Sequence, residues 1–123
     1  MNSIPEIWVG HVVLESDRIS ESADFMLTLG MRSVFRGPYM AIFELRGGTH
    51  LLIFPKGAVP GGATSFDLMV DDVHAFHQRL AAAGFAPTEI ESVPAIHHER
   101  FTVCEPGGST LTILSSHVEG RAV

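Results

Sequence analysis

The chain repeats itself, and that repeat limits its fold more than any other feature. Phe43-Glu44-Leu45-Arg46-Gly47-Gly48-Thr49-His50-Leu51-Leu52-Ile53-Phe54 aligns with Val103-Cys104-Glu105-Pro106-Gly107-Gly108-Ser109-Thr110-Leu111-Thr112-Ile113-Leu114, sharing a Gly-Gly turn and apolar alternation on both flanks. A second block agrees. Val13-Leu14-Glu15-Ser16-Asp17, a helical run and Gly30-Met31 recur as Leu68-Met69-Val70-Asp71-Asp72, a helical run and Gly84-Phe85. Self-similarity with a period near half the chain implies two supersecondary units that share a core, with any site lying where the units face each other.

At 123 residues and 46% hydrophobic content the chain supports one domain with a real core and is too short for two independent ones. One domain over 1–123 is expected, with module one over about 5–55, a linker over about 56–64 and module two over about 65–115. The net charge of −6, with 8 scattered Lys and Arg, argues against nucleic acid, which demands a basic footprint. No charged-then-apolar leader opens the sequence, and no apolar run approaches the roughly 20 residues that cross a bilayer. A cytoplasmic protein without a membrane partner is expected. The single cysteine, Cys104, excludes an internal disulfide and a multi-Cys zinc site, and reads as a small apolar strand residue.

Residues 7–15 read as a strand, rich in β-branched Ile7, Val9, Val12 and Val13. The period then changes: Ile19, Ala23, Met26 and Leu27 fall at helical spacing, with Ser16, Asp17 and Ser20 as candidate caps and Gly30 as the stop. Strands follow at 33–36, 39–45 and 50–54, and Pro55 to Thr64 forms a linker without periodicity. The pattern restarts with a strand over 65–70, an Asp72-capped helix through Val73, Phe76 and Leu80 to Gly84, and strands at 86–93, 98–104 and 109–114. Pro106-Gly107 fits a type II turn, with positive φ at Gly107. A polar tail from Ser115 that includes an exposed His117 closes the chain.

An opening strand, an Asp-capped helix ending in Gly-Met or Gly-Phe, and an acidic-Pro-x-Gly turn before the last strand together resemble the vicinal oxygen chelate superfamily. This group contains glyoxalase I, extradiol dioxygenases, fosfomycin-resistance enzymes and bleomycin-resistance proteins. The resemblance implies an α+β fold in which two βαβββ modules form a curved cup-shaped sheet with helices outside. It further implies a homodimer, and a divalent metal inside the cup held from the first and last strands of each module. Carried onto this chain, those four places are His11, Ser65, Leu52 and Thr112; a first helix one residue longer than its repeat leaves Gly10 as a competing alignment for His11. Only His11 is a metal donor, so the usual four-ligand site is not expected.

Strand alternation assigns the remaining candidates to faces. His11, Val13 and Glu15 share one face of the first strand; Glu44 lies with Met40 and Ile42, and His50 with Leu52 and Phe54. In the second half Asp67 lies with Ser65 and Met69, and His98, Arg100, Thr102 and Cys104 alternate against Phe101 and Val103. Two readings stay open. In one, an organic ligand binds a metal-free cup lined by His11, Glu15, His50, Leu52, Phe54, Met69, His98 and Thr112. In the other, one divalent ion of unspecified identity sits on His11, His50 and Glu44, or Glu15, and supports a glyoxalase-like lyase or a dioxygenase. Metal-free acid–base catalysis by Glu44 or Asp67, with Arg100 as anion anchor, is a further possibility. Cys104 lies too far along its strand from His98 to be activated by it. His74 and His77, on the second helix, fall outside the cup.

Overall fold

The computed structural model describes residues 3–63, 65–116 and 118. The elements run β1 (His11–Glu15), α1 (Ile19–Leu29), β2 (Arg32–Arg36), β3 (Ala41–Glu44), β4 (His50–Phe54), β5 (Leu68–Val70), α2 (Val73–Ala82), β6 (Glu91–Val93), β7 (His98–Cys104) and β8 (Thr110–Ser115). They form two four-stranded sheets with strand orders β1-β4-β3-β2 and β5-β8-β7-β6. In each sheet the first strand pairs in parallel with the last, and the remaining pairs are antiparallel. This is the expected α+β arrangement of two βαβββ modules.

Local chemistry explains the helix ends. Gly30 adopts the left-handed conformation at φ 99°, and Met31 N–H reaches back to Met26 O at 3.1 Å, a closure that a side chain at Gly30 would oppose. The start of α1 departs from expectation. Its cap position is Arg18, without a side-chain cap, because the Ser16 hydroxyl turns back to accept Arg18 N–H at 2.9 Å. Asp72 caps α2 as expected, accepting Ala75 N–H at 3.0 Å. No helix among the described residues is long and apolar enough to cross a membrane.

Both modules contribute to one core. Phe25 and Met26 of α1 pack with Phe43, Leu51 and Ile53 of the first sheet and with Leu80, Phe101 and Ile113 of the second module. Phe25 meets Phe85 edge-on at 4.8 Å. Each sheet thus turns one face inward onto the helices, and its other face looks outward. Among the described residues the strands of the two modules remain in two separate sheets, rather than in the one curved cup-shaped sheet expected, because no strand of one module pairs with a strand of the other.

Polar contacts also join the modules. Glu105, 1% exposed, accepts from the Ser22 hydroxyl at 2.6 Å, Gly107 N–H at 2.9 Å and Ser109 N–H at 3.1 Å. The turn closes through Gly108 N–H to Glu105 O at 2.9 Å, but the positive φ falls on Gly108 at 100°, not on Gly107. Gly107 is required for a different reason: a Cβ there would lie 2.2 Å from Ser16 Oγ.

Several strands are shorter than their sequence pattern. Ile7 to Gly10 stay outside β1 because, among the described residues, the sheet offers them no neighbouring strand beyond His50, although Thr49 Oγ1 donates to Val9 O at 2.6 Å. Residues 65–67 and 86–90 likewise precede their strands. Ser115 ends β8 instead of opening a tail, and Cys104 is exposed because it lies on the outward face of β7, opposite buried Phe101 and Val103. Thr64 and His117 lie outside the described residues.

Candidate functional site

The outward face of the first sheet carries a polar row across all four strands. The register places His11 beside His50, His50 beside Glu44, and Glu44 beside Arg32. The His11 and His50 rings meet edge-on with centroids 5.9 Å apart. His50 Nε2 lies 3.3 Å from Glu44 Oε1, and the other carboxylate oxygen pairs with Arg32 Nη2. Hydrogen bonds from Arg32 first, and then from His50, hold the Glu44 carboxyl below its ordinary value of 4.5. An ionised carboxylate only accepts, so His50 Nε2 carries the hydrogen, and Nδ1 is the acceptor of the neutral ring.

Below this row the face becomes apolar. Val13, Leu52 and Ile42 form the next rung, and Glu15 and Phe54 the one after. All five are half-buried, while their strand neighbours Leu14, Leu51 and Ile53 are buried in the core. The alternation read from the sequence therefore faces the way it was expected to.

On the second sheet, Met69, Leu114, Arg100 and Glu91 form one rung, with Thr112 opposite Thr102 on another. Arg100 is paired with Glu91 at 2.7 Å, so its guanidinium is already engaged. His98 donates through Nδ1 to Ser115 O at 2.6 Å. Asp67 is exposed just ahead of β5. His74 pairs with Glu99 at 3.2 Å, and His77 contacts the Phe101 ring at 5.1 Å, so both helix histidines brace α2 against β7.

The structure thus gathers His11, Glu15, Glu44, His50, Leu52 and Phe54 on one sheet face. It sets Met69, His98, Arg100 and Thr112 on the other sheet, whose opposite face shares the core with the first, and leaves Asp67 exposed just ahead of that sheet. Two shallow clefts among the described residues, about 330 and 460 Å³, lie on neither face; they flank the start of α1 beside Gly37 and Pro38. Arg32 and Glu91 escaped the sequence reading, because each becomes a site neighbour only through the pairing of its strand with the next. A metal fits poorly. Of the four positions implied by the superfamily, only His11 offers a donor, and no three His, Cys, Asp or Glu side chains among the described residues converge to hold an ion. His11, His50 and Glu44 are neighbours, yet Glu44 points its oxygens at Arg32 and His50.

Neither a protein-family model nor a curated protein matches the sequence. Solved structures do. Lactoylglutathione lyase from Agrobacterium tumefaciens superposes with a TM-score of 0.73 at 16% identity, over 94% of this chain and 98% of that one. A bleomycin-binding protein in complex with bleomycin gives 0.66 at 20% identity, over 90% and 99%. A member of the glyoxalase/bleomycin resistance protein/dioxygenase superfamily from Sphaerobacter thermophilus gives 0.69 at 20%, over 89% and 98%. Across nearly its whole length, the chain has the fold of the glyoxalase/bleomycin resistance/dioxygenase, or vicinal oxygen chelate, superfamily.

Proposed function

We propose that this is a cytoplasmic small-molecule-binding protein that acts as a homodimer. The outward face of the first sheet of one copy meets the outward face of the second sheet of its partner, closing a cup around an organic ligand. One observation carries this reading: the first sheet's outward face has an apolar floor with a few polar anchors, the second sheet's carries Met69 and Leu114 among polar side chains, and the two belong to separate sheets of one chain. A second copy would close them. The exposed run Ile7, Trp8 and Val9, at 85, 68 and 59% exposure beside edge strand β1, supports the same pairing, since a patch of this kind on a small domain ordinarily marks an interaction surface. The bleomycin complex supports ligand binding without chemistry as one use of the fold. In the cup, Val13, Ile42, Leu52 and Phe54 would take the apolar body of the ligand, while His11 and His50 would fix its polar end.

A second reading is favoured by the His50–Glu44 contact, which orients an imidazole as in acid–base catalysis. Sedimentation equilibrium, ligand titration and elemental mass spectrometry on protein purified without tag or chelator, with His11→Ala in parallel, test the first reading. A dimer that binds ligands equally well after exhaustive chelation supports the binding cup. Near-stoichiometric transition metal that is lost in His11→Ala would replace it with a metal-dependent lyase or dioxygenase.

A further inference from the structure

Glu15 presents a feature that the fold leaves unexplained. It ends β1 on the outward face, in register with Phe54, and its Oε2 is shut off from water without any hydrogen-bond partner among the described residues. The linker folds against its other oxygen: a Cβ built at Gly62 would lie 3.9 Å from Glu15 Oε1. The basic side chains nearby in sequence or on the same sheet and linker are already engaged, Arg18 by Glu21 at 2.6 Å, Lys56 by Asp17 at 3.4 Å, Arg36 by Asp24 at 2.9 Å, and Arg32 by Glu44. A carboxylate oxygen held away from water with no donor is a cost to the fold, and natural proteins keep such groups chiefly where something else supplies the donor. The floor beside it is apolar, formed by Val13, Leu52 and Phe54. Resting on the binding reading above, we infer that Glu15 anchors a cationic nitrogen, an ammonium or guanidinium, on the molecule this cup binds. The ligand class is then an organic cation with an apolar body, which the overall charge of −6 also attracts.

The test uses two fluorescent probes that differ only at the nitrogen: dansylcadaverine, a primary amine, and its uncharged N-acetyl form. Each is titrated into the parent, into Glu15→Gln and into a surface control, Glu89→Gln. The amine should bind the parent at least about ten-fold more tightly than the acetylated probe, the effect of one charge-assisted hydrogen bond. Glu15→Gln should erase that preference while leaving the acetylated probe unaffected, and Glu89→Gln should change neither. Equal binding of both probes to the parent would overturn the cation assignment and leave the binding cup standing. Failure of both to bind would remove the cup and the assignment together. A second variant needs no ligand: Glu15→Met should raise the melting temperature of the ligand-free protein by about 3 °C. A fall instead would show that the assembled protein already partners Glu15, and would overturn the assignment.

Discussion

Ser22 on α1 donates its hydroxyl hydrogen to Glu105 Oε2 at 2.6 Å, joining residues 83 positions apart. The link is one step in a chain. Arg18 N–H donates to Ser16 Oγ, the Ser16 hydroxyl donates to Ser22 Oγ at 2.7 Å, and Ser22 passes the sequence on to the buried carboxylate. Module one is thereby tied to the last turn of module two at a place that water does not reach.

Removing the donor leaves the buried carboxylate with only the Gly107 and Ser109 N–H groups. Ser22→Ala should lower the unfolding free energy by about 2–3 kcal/mol, more than an ordinary serine truncation, because the acceptor left behind is buried. Urea titration checks this. A double-mutant cycle with Glu105→Gln should show strong coupling; simple additivity of the two losses would mean that the contact does not hold the modules together.

Gly107 and its repeat counterpart Gly47 are constrained differently. A Cβ at Gly107 would collide with Ser16, whereas one at Gly47 meets nothing within 4 Å and suffers only the positive φ of 83°. Gly107→Ala should therefore cost about 3 kcal/mol from overpacking and Gly47→Ala about 1–2 kcal/mol from backbone strain. Adding Ser16→Gly should partly rescue the first variant and not the second. Thermal melts of the four proteins decide it.

Glu44 should make stability depend on acid. Its carboxyl titrates below the ordinary 4.5 in the folded chain, held there first by Arg32 and then by His50. The folded state therefore favours the ionised form, and that contribution is present in full above the unfolded value and lost as pH falls through the folded one. The difference in melting temperature between parent and Glu44→Gln should be constant from about pH 7 down to about pH 5 and then shrink on further acidification. A difference that widens in acid would contradict the assignment.

Trp8 offers a direct readout of pairing. It is the single tryptophan and stands 68% exposed in one chain. If its surface is covered by a second copy, its emission should move to longer wavelength on dilution. Ile7→Asp should raise the dimer dissociation constant at least about ten-fold, equivalent to 1.4 kcal/mol. Emission that is independent of concentration in both proteins would argue against this interface.

Much of the fold is legible in the sequence. Ile19 to Leu29 forms the helix that the apolar spacing outlined, with Gly30 at its end, and His50–Phe54 and His98–Cys104 are strands over the residues read from alternation. The facing of His11, Val13 and Glu15 against Leu14 followed from the same period of two. The errors sit where a partner outside the segment decides. Ile7 to Val9 have strand composition but no neighbouring strand among the described residues, and Cys104 reads as core by residue type yet occupies an outward position at a strand end.

By itself the sequence determined the two modules, the order of their elements and which side chains share a strand face, because these depend on local periodicity and on turns a few residues long. Only the tertiary structure decided that the two candidate faces are separated by a common core, that Arg32 and His50 hold Glu44, and that Gly107 must be glycine to lie against Ser16. Those relationships rest on strand register and on the packing of one module against the other, which bring together residues far apart in the chain; no local pattern encodes such distances.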